Sequence, residues 1–283
     1  MQMILRRDST EVRIDGAGAF IIIGECINPT GYKKLREALT EKDYTYIREL
    51  AVRQVESGAD ILDINVGVPG LDEIVLMEEV VTVVAASVDV PLCIDSANPE
   101  ALEAGLAVAP GKALVNSVNG EEAMLQAVLP IVKEHDAAVI GLTMDDDGIP
   151  NDEDARVTIA GKILERAAKL GIPEEDVVID PLVMAVGADT NAGLVTLKSI
   201  ELIQEEFGTN ISLGASNVSF GLPDRHTINQ AFLALAIQAG ATCAITNPMK
   251  LTSAIRAIDL LMARDPFAAR YIAHYRSVQA KSD

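Results

Sequence analysis

Short apolar runs alternate with longer amphipathic segments along almost the whole chain. The runs occupy residues 19–24 (AFIIIG), 60–66 (DILDINV), 92–95 (LCID), 113–117 (ALVNS), 137–143 (AAVIGLT), 177–180 (VVID), 210–215 (NISLGA) and 243–246 (CAIT). Each is short, aliphatic and bounded by polar or turn-forming residues, the pattern of a strand buried on both faces. Residues 43–57, 71–87, 99–108, 121–135, 153–170, 192–207, 226–239 and 251–263 have helical length and spacing. Several are stopped by glycine, as at Gly58, Gly171 and Gly240. A last helical stretch follows Pro266, and residues 1–17 read as a short hairpin or a lid. Residues 144–152 form a polar, Gly-containing loop, expected to be mobile and solvent-facing.

Alternating strands and helices with short connections predict a parallel sheet, and eight such units predict its closure. With no linker or low-complexity tract between them, residues 1–283 read as a single α/β domain, a (β/α)8 TIM barrel with a short N-terminal extension. An open doubly wound sheet is the competing architecture. No GxGxxG follows the first strand and no GxxxxGK[ST] occurs, which weakens it.

The joint at residues 90–101, VPLCIDSANPEA, shows how chemistry enters this pattern. An apolar strand ends in Asp95, and Asn98 and Pro99 suit the cap and first turn of the next helix. Asp95 therefore stands at the carboxyl end of a strand, the edge that carries chemistry in barrels and open α/β sheets. Capping that helix is its simpler role. The pattern recurs: Glu25 and Asn28, Asp63 and Asn65, Asn116 and Asn119, Asp180, Asn217 and Asn247 close six of the other strands. Each alone can be a cap or turn former. A barrel would gather them all into one mouth.

Charge and composition narrow the use of such a mouth. The net charge is −19, aromatic residues are 4% and tryptophan is absent. A general nucleic-acid surface, an anionic-membrane surface and base-stacking platforms are excluded on that basis. No apolar stretch reaches transmembrane length, and the N-terminus lacks a secretory signal. Cys26, Cys93 and Cys243 are odd in number and lack CxxC spacing, so a disulfide framework and a zinc site are not expected. A cytoplasmic location fits. The strand ends carry no lysine for a Schiff base, no His/Cys cluster for a metal and no Ser-His-Asp set. Asp and Asn side chains do suit planar heterocycles. A carboxylate accepts two parallel N–H donors, such as a 2-amino-4-oxo pyrimidine ring offers, and an amide both donates and accepts.

Six segments carry a resemblance. They are GECINPTGYKKL (24–35), ADILDINVG (59–67), VPLCIDS (90–96), VNSVNGE (115–121), VIDPL (178–182) and GASNVSFGLPDRHTINQAF (214–232). In order and together, the sequence resembles the pterin-binding methyltransferases. It is most similar to methyltetrahydrofolate:corrinoid methyltransferases and to the folate module of cobalamin-dependent methionine synthase. The resemblance implies methyl transfer between N5 of tetrahydrofolate and the cobalt of a corrinoid. It implies that Asp95, Asn116 and Asp180 bind the pterin and that Asn217 approaches N5, with Gly214, Ser216 and Ser219 shaping that loop. Glu25, Asn28, Asp63, Asn119 and Arg225 are further candidates. Asn28 and Asp63 can equally be supports, and Arg225 a surface ion pair.

The amine at N5 is a poor leaving group, so a hydrogen bond or proton must stabilise it as the C–N bond breaks. The amide of Asn217 suits both protonation states of that nitrogen. No DxHxxG signature of a corrinoid module is present: Asp224-Arg225-His226 begins like it but lacks the glycine. The corrinoid is therefore expected on a partner protein, with no metal bound by this chain directly. A homodimer is implied by the resemblance alone. Dihydropteroate synthase and a non-catalytic folate-binding barrel are the alternatives. The first needs basic residues at the last strand ends, where only Lys250 follows.

Overall fold

The chain opens with an antiparallel hairpin of β1 (Gln2–Arg7) and β2 (Thr10–Asp15). The structure, a computed structural model, describes residues 1–280. Eight parallel strands follow: β3 (Ile21–Ile27), β4 (Ile61–Asn65), β5 (Leu92–Asp95), β6 (Leu114–Asn119), β7 (Ala138–Leu142), β8 (Val177–Asp180), β9 (Asn210–Ile211) and β10 (Cys243–Thr246). They pair in chain order from β3 to β9, and β10 pairs with β3. Between β9 and β10 the circle is completed by Thr242 N–H to Ile211 O (3.0 Å) and Ile245 N–H to Leu213 O (2.8 Å). The fold is the expected (β/α)8 barrel.

The helices are α1 (Lys33–Glu41), α2 (Tyr44–Glu56), α3 (Glu73–Ala85), α4 (Pro99–Val108), α5 (Glu122–Glu134), α6 (Glu153–Lys169), α7 (Ala192–Phe207), α8 (Arg225–Ala239), α9 (Pro248–Leu261) and α10 (Ala269–Gln279). Side-chain caps start several of them. Asp43 accepts from Thr45 and Tyr46, Asp72 from Val75, Asn98 from Glu100 and Asp152 from Ala155. Helix α1 is absent from the sequence reading. Only Leu35, Ala38 and Leu39 of its nine residues are buried, and no side chain caps it, so its apolar signal is short. No helix among the described residues is long and apolar enough to cross a membrane.

Period-two alternation sorts the strand residues into an interior stack and an outer face against the helices. Inside lie Ile21, Ile23, Ile61, Cys93, Leu114, Ala138, Ile140, Val178 and Cys243, all buried. Met3, Leu5, Val12 and Ile14 of the hairpin belong to the same cluster. The hairpin thus plugs the amino end of the barrel. Lys112 N–H donates to Arg6 O (2.8 Å), and a Cβ on Gly111 (φ +75°) would lie 2.0 Å from that oxygen. Residues 1–17 are a floor and not a lid. The 144–152 loop is also more ordered in form than its composition suggests: Asp145 and Gly148 exchange two backbone hydrogen bonds in a tight turn. Pro150 O accepts from Arg156, a buried guanidinium.

Candidate functional site

Two residues beyond the apolar interior layer, each strand meets the open end. Ile61 leads to Asp63, Cys93 to Asp95, Leu114 to Asn116, Val178 to Asp180 and Ile23 to Glu25. The same alternation that buries the aliphatic residues therefore aims these polar ones into the mouth. They line one cavity of about 470 Å³, together with Asn28, Gly214, Ser216, Asn217 and Arg225. Thr30, Tyr32, Ser117, Leu142, Leu182, Val183, Phe220 and Ile245 complete its wall and were not candidates from the sequence.

Asp180 is buried and its carboxylate is held on both oxygens. Leu182 N–H donates to Oδ1 (2.8 Å) and Gly214 N–H to Oδ2 (3.1 Å). Burial nevertheless pushes its pKa up to about 7. The loop after it is fixed from behind by Arg156, which donates to Pro181 O (2.7 Å) and Leu182 O (2.9 Å). Nothing in the sequence pattern marked Arg156, which sits on the core-facing side of an otherwise ordinary helix.

Asp63, Asp95 and Asn116 form a second group. Asn116 Nδ2 donates to Asp63 Oδ1 at 3.1 Å. Burial, then the neighbouring charge of Asp95, holds Asp63 well above the usual carboxylate range. Burial likewise lifts the pKa of Asp95 to about 6, opposed by its neighbours Asn65 and Asp63. Asn65 also bonds Asp95. Two acids this close and this buried each disfavour the other's ionisation.

The third group is the loop after β9. Ser216 Oγ donates to both carboxylate oxygens of Glu25 (3.1 Å each), which ties this loop to β3. Burial raises the Glu25 pKa, opposed by that hydroxyl and by the charges of Arg225 and Lys250. Arg225 reaches back to Ser219 Oγ (3.0 Å) and Ser216 O (2.7 Å). Asn217 is exposed at the cavity wall, and its Nδ2 is 3.0 Å from where a Cβ on Gly214 would be. A side chain at Gly214 would push that amide by a few tenths of an ångström.

Some candidates lie elsewhere. Ser219 is fully buried behind the loop, under Arg225. Asn119 binds Glu121 and does not line the main cavity. Asn247 lines a smaller adjoining chamber, shared with Glu25, Tyr32, Ser216 and Arg225. The cysteines are free and buried. Among the described residues no group of three or more His, Cys, Asp or Glu side chains could hold a metal ion.

Carboxylates and amides converging on the mouth of a closed barrel have the donors and acceptors to grip a flat, N–H-rich ring. Residues 24–247 match the pterin binding enzyme family, and the chain belongs to it. Within that class, it is 34% identical over 271 residues to the methylcorrinoid:tetrahydrofolate methyltransferase of Eubacterium limosum, covering 92% of this chain and 100% of that protein. Methionine synthase of Mycobacterium tuberculosis is 32% identical over 244 residues, 82% of this chain but 20% of that protein. Among solved structures, dihydropteroate synthase of Xanthomonas albilineans has a TM-score of 0.73 at 20% identity, covering 93% of this chain and 99% of that one. At that identity the likeness is one of fold.

Proposed function

We propose that the protein transfers a methyl group between N5 of tetrahydrofolate and the cobalt of a corrinoid carried by a separate protein, in either direction. One observation carries the reading: Asp95, Asn116 and Asp180 line a single cavity with the exposed amide of Asn217. The identity over the full length of a methylcorrinoid:tetrahydrofolate methyltransferase supports it.

In this reading Asp95 and Asp180 accept the ring N–H donors of the pterin, and Asn116 adds an amide. Each Asp180 oxygen already takes one backbone N–H and keeps a lone pair for the ligand. Asn217 donates its amide N–H to N5 as the methyl leaves, N5 takes a proton from water, and the Asn217 carbonyl then accepts the new N5–H. Glu25 and Ser216 hold the loop that sets this distance. Asn28, Asp63, Ser219 and Arg225 act as supports. Catalysis is then mostly orientation and hydrogen bonding. The corrinoid partner supplies the methyl acceptor or donor at its metal. The barrel itself is proposed to hold no metal, since among the described residues no group of three or more His, Cys, Asp or Glu side chains is placed to bind one.

Turnover of methylcobalamin with tetrahydrofolate, followed by the corrinoid spectrum, tests the proposal, and a chelator should not change the rate. Folate binding without transfer would make this a non-catalytic barrel. Formation of dihydropteroate from a pterin diphosphate would favour the synthase instead. That reading is disfavoured because Lys250 lies past the strand, in α9.

Residues 1–283 are proposed to act as one domain, in the cytoplasm, where free thiols persist. The proposed homodimer is supported by the exposed Leu260, Leu261, Phe267 and Tyr275 on and beside α9 and α10. Light scattering at two protein concentrations tests it.

A further inference from the structure

Beside the main cavity lies a second chamber of about 120 Å³, and its chemistry differs from that of the mouth. The main cavity is lined by four carboxylates, Glu25, Asp63, Asp95 and Asp180, against one cation, Arg225. The chamber is lined by Arg225, Lys250 and the imidazole of His226 against Glu25 alone. Glu25 is already engaged by Ser216. Lys250 makes no ion pair with any described residue, in a chain with 42 Asp and Glu against 23 Lys and Arg. An unpaired lysine in such a chain is available to an external anion.

The backbone points the same way. Helices α8 and α9 both begin here, at Arg225 and at Pro248, and neither has a side-chain cap. Two helix amino ends bring positive partial charge to one place.

The wall also carries acceptors. Asn229 and Asn247 are each 8% exposed, and the Oδ1 of each has no hydrogen-bond partner. A buried carbonyl without a donor is costly to leave unpaired. A fully deprotonated inorganic anion such as sulfate would satisfy the cations but has no donor for these oxygens. The complementary ligand combines carboxylates with amide N–H groups.

Resting on the folate reading above, we propose that this chamber binds the glutamyl tail of the folate. Its carboxylates face Lys250, His226 and Arg225, and its amide N–H faces the two asparagines. The placement follows from substrate chemistry. The glutamate is joined to C6, the neighbour of N5, through a methylene and a p-aminobenzoyl ring, so it lies one ring's length beyond N5, and N5 is assigned to Asn217, one residue from the Ser216 that borders both spaces. The protein would therefore prefer glutamylated folates over the bare pteroyl form.

Calorimetric titration with tetrahydropteroate, tetrahydrofolate and its triglutamate tests this on the wild-type protein and on Lys250→Gln. Lys250 is exposed, so the substitution should leave the fold intact, as circular dichroism will show. The expected result is about three- to tenfold tighter binding of the glutamylated forms to wild type, with that ratio falling towards one in Lys250→Gln. Equal binding of all three to wild type overturns the inference alone. So does an unchanged ratio in Lys250→Gln with slower transfer to the corrinoid protein, which would make the chamber a partner contact. Binding of none overturns it together with the folate reading.

Discussion

Oδ2 of Asp180 accepts the backbone N–H of Gly214 at 3.1 Å, so the carboxylate ending β8 also holds the start of the loop that bears Asn217. One side chain thus serves both the cavity wall and the geometry of its neighbour. Asp180→Ala should weaken tetrahydrofolate binding by about 5- to 150-fold, the cost of leaving buried donors unpaired. It should slow transfer too, since the loop loses an anchor. Unchanged affinity in a folded Asp180→Ala protein would remove Asp180 from the pterin site.

The raised pKa values give the site a pH signature. Ring N–H groups need ionised acceptors, and burial lifts Asp180 to about 7 and Asp95 to about 6. Affinity for tetrahydrofolate should therefore fall as pH drops through about 7, and more steeply below about 6. The limit is about tenfold per pH unit for each group. Stability has the opposite sign. The Asp180 pKa is raised from 3.8, so its contribution is full below that value and is lost as pH rises through about 7. Titration calorimetry and thermal melts of the ligand-free protein from pH 5.5 to 8 check both trends. Asp180→Asn should flatten each of them near neutrality.

The hairpin plug can be separated from the mouth. Leu5 is fully buried in the barrel floor, so Leu5→Ala should cost about 2–5 kcal/mol of stability. Urea unfolding measures that loss. Folate affinity at a temperature where the variant is folded should equal that of wild type. A floor is too far from the mouth to change it, whereas a lid would.

How legible this was depended on periodicity. The eight strands stood out because each is a continuous aliphatic run, and period two then carried Asp63, Asp95, Asn116 and Asp180 into the mouth together. Strand β9 shrinks to Asn210–Ile211, with Gly214 keeping only an isolated bridge to Ile245 before the turn through Ser219 leaves the sheet. Ser219 was read as a loop former at the ligand, but its side chain turns inward, since a loop has no period to say which way it faces. Arg156 was illegible for a similar reason. Its burial depends on carbonyls of loops that only the fold brings together. The second chamber also needed the fold, because its walls come from the starts of two separate helices.

The sharpest prediction concerns Asn217. In the ground state the pterin is proposed to have several other partners, Asp95, Asn116 and Asp180 among them. The departing amine at N5 has few. Asn217→Ala should therefore lower kcat by about 10²–10³, the usual loss for one hydrogen bond made in the transition state. Tetrahydrofolate affinity should change much less. Asn217→Asp should also be impaired, because a carboxylate has no N–H to give the neutral nitrogen. Single-turnover transfer from methyltetrahydrofolate to cob(I)alamin, measured beside folate affinity, separates the two effects. A wild-type transfer rate in Asn217→Ala would reduce this residue to a loop former, and the N5 contact would then belong to Asp95 or to a water that it holds.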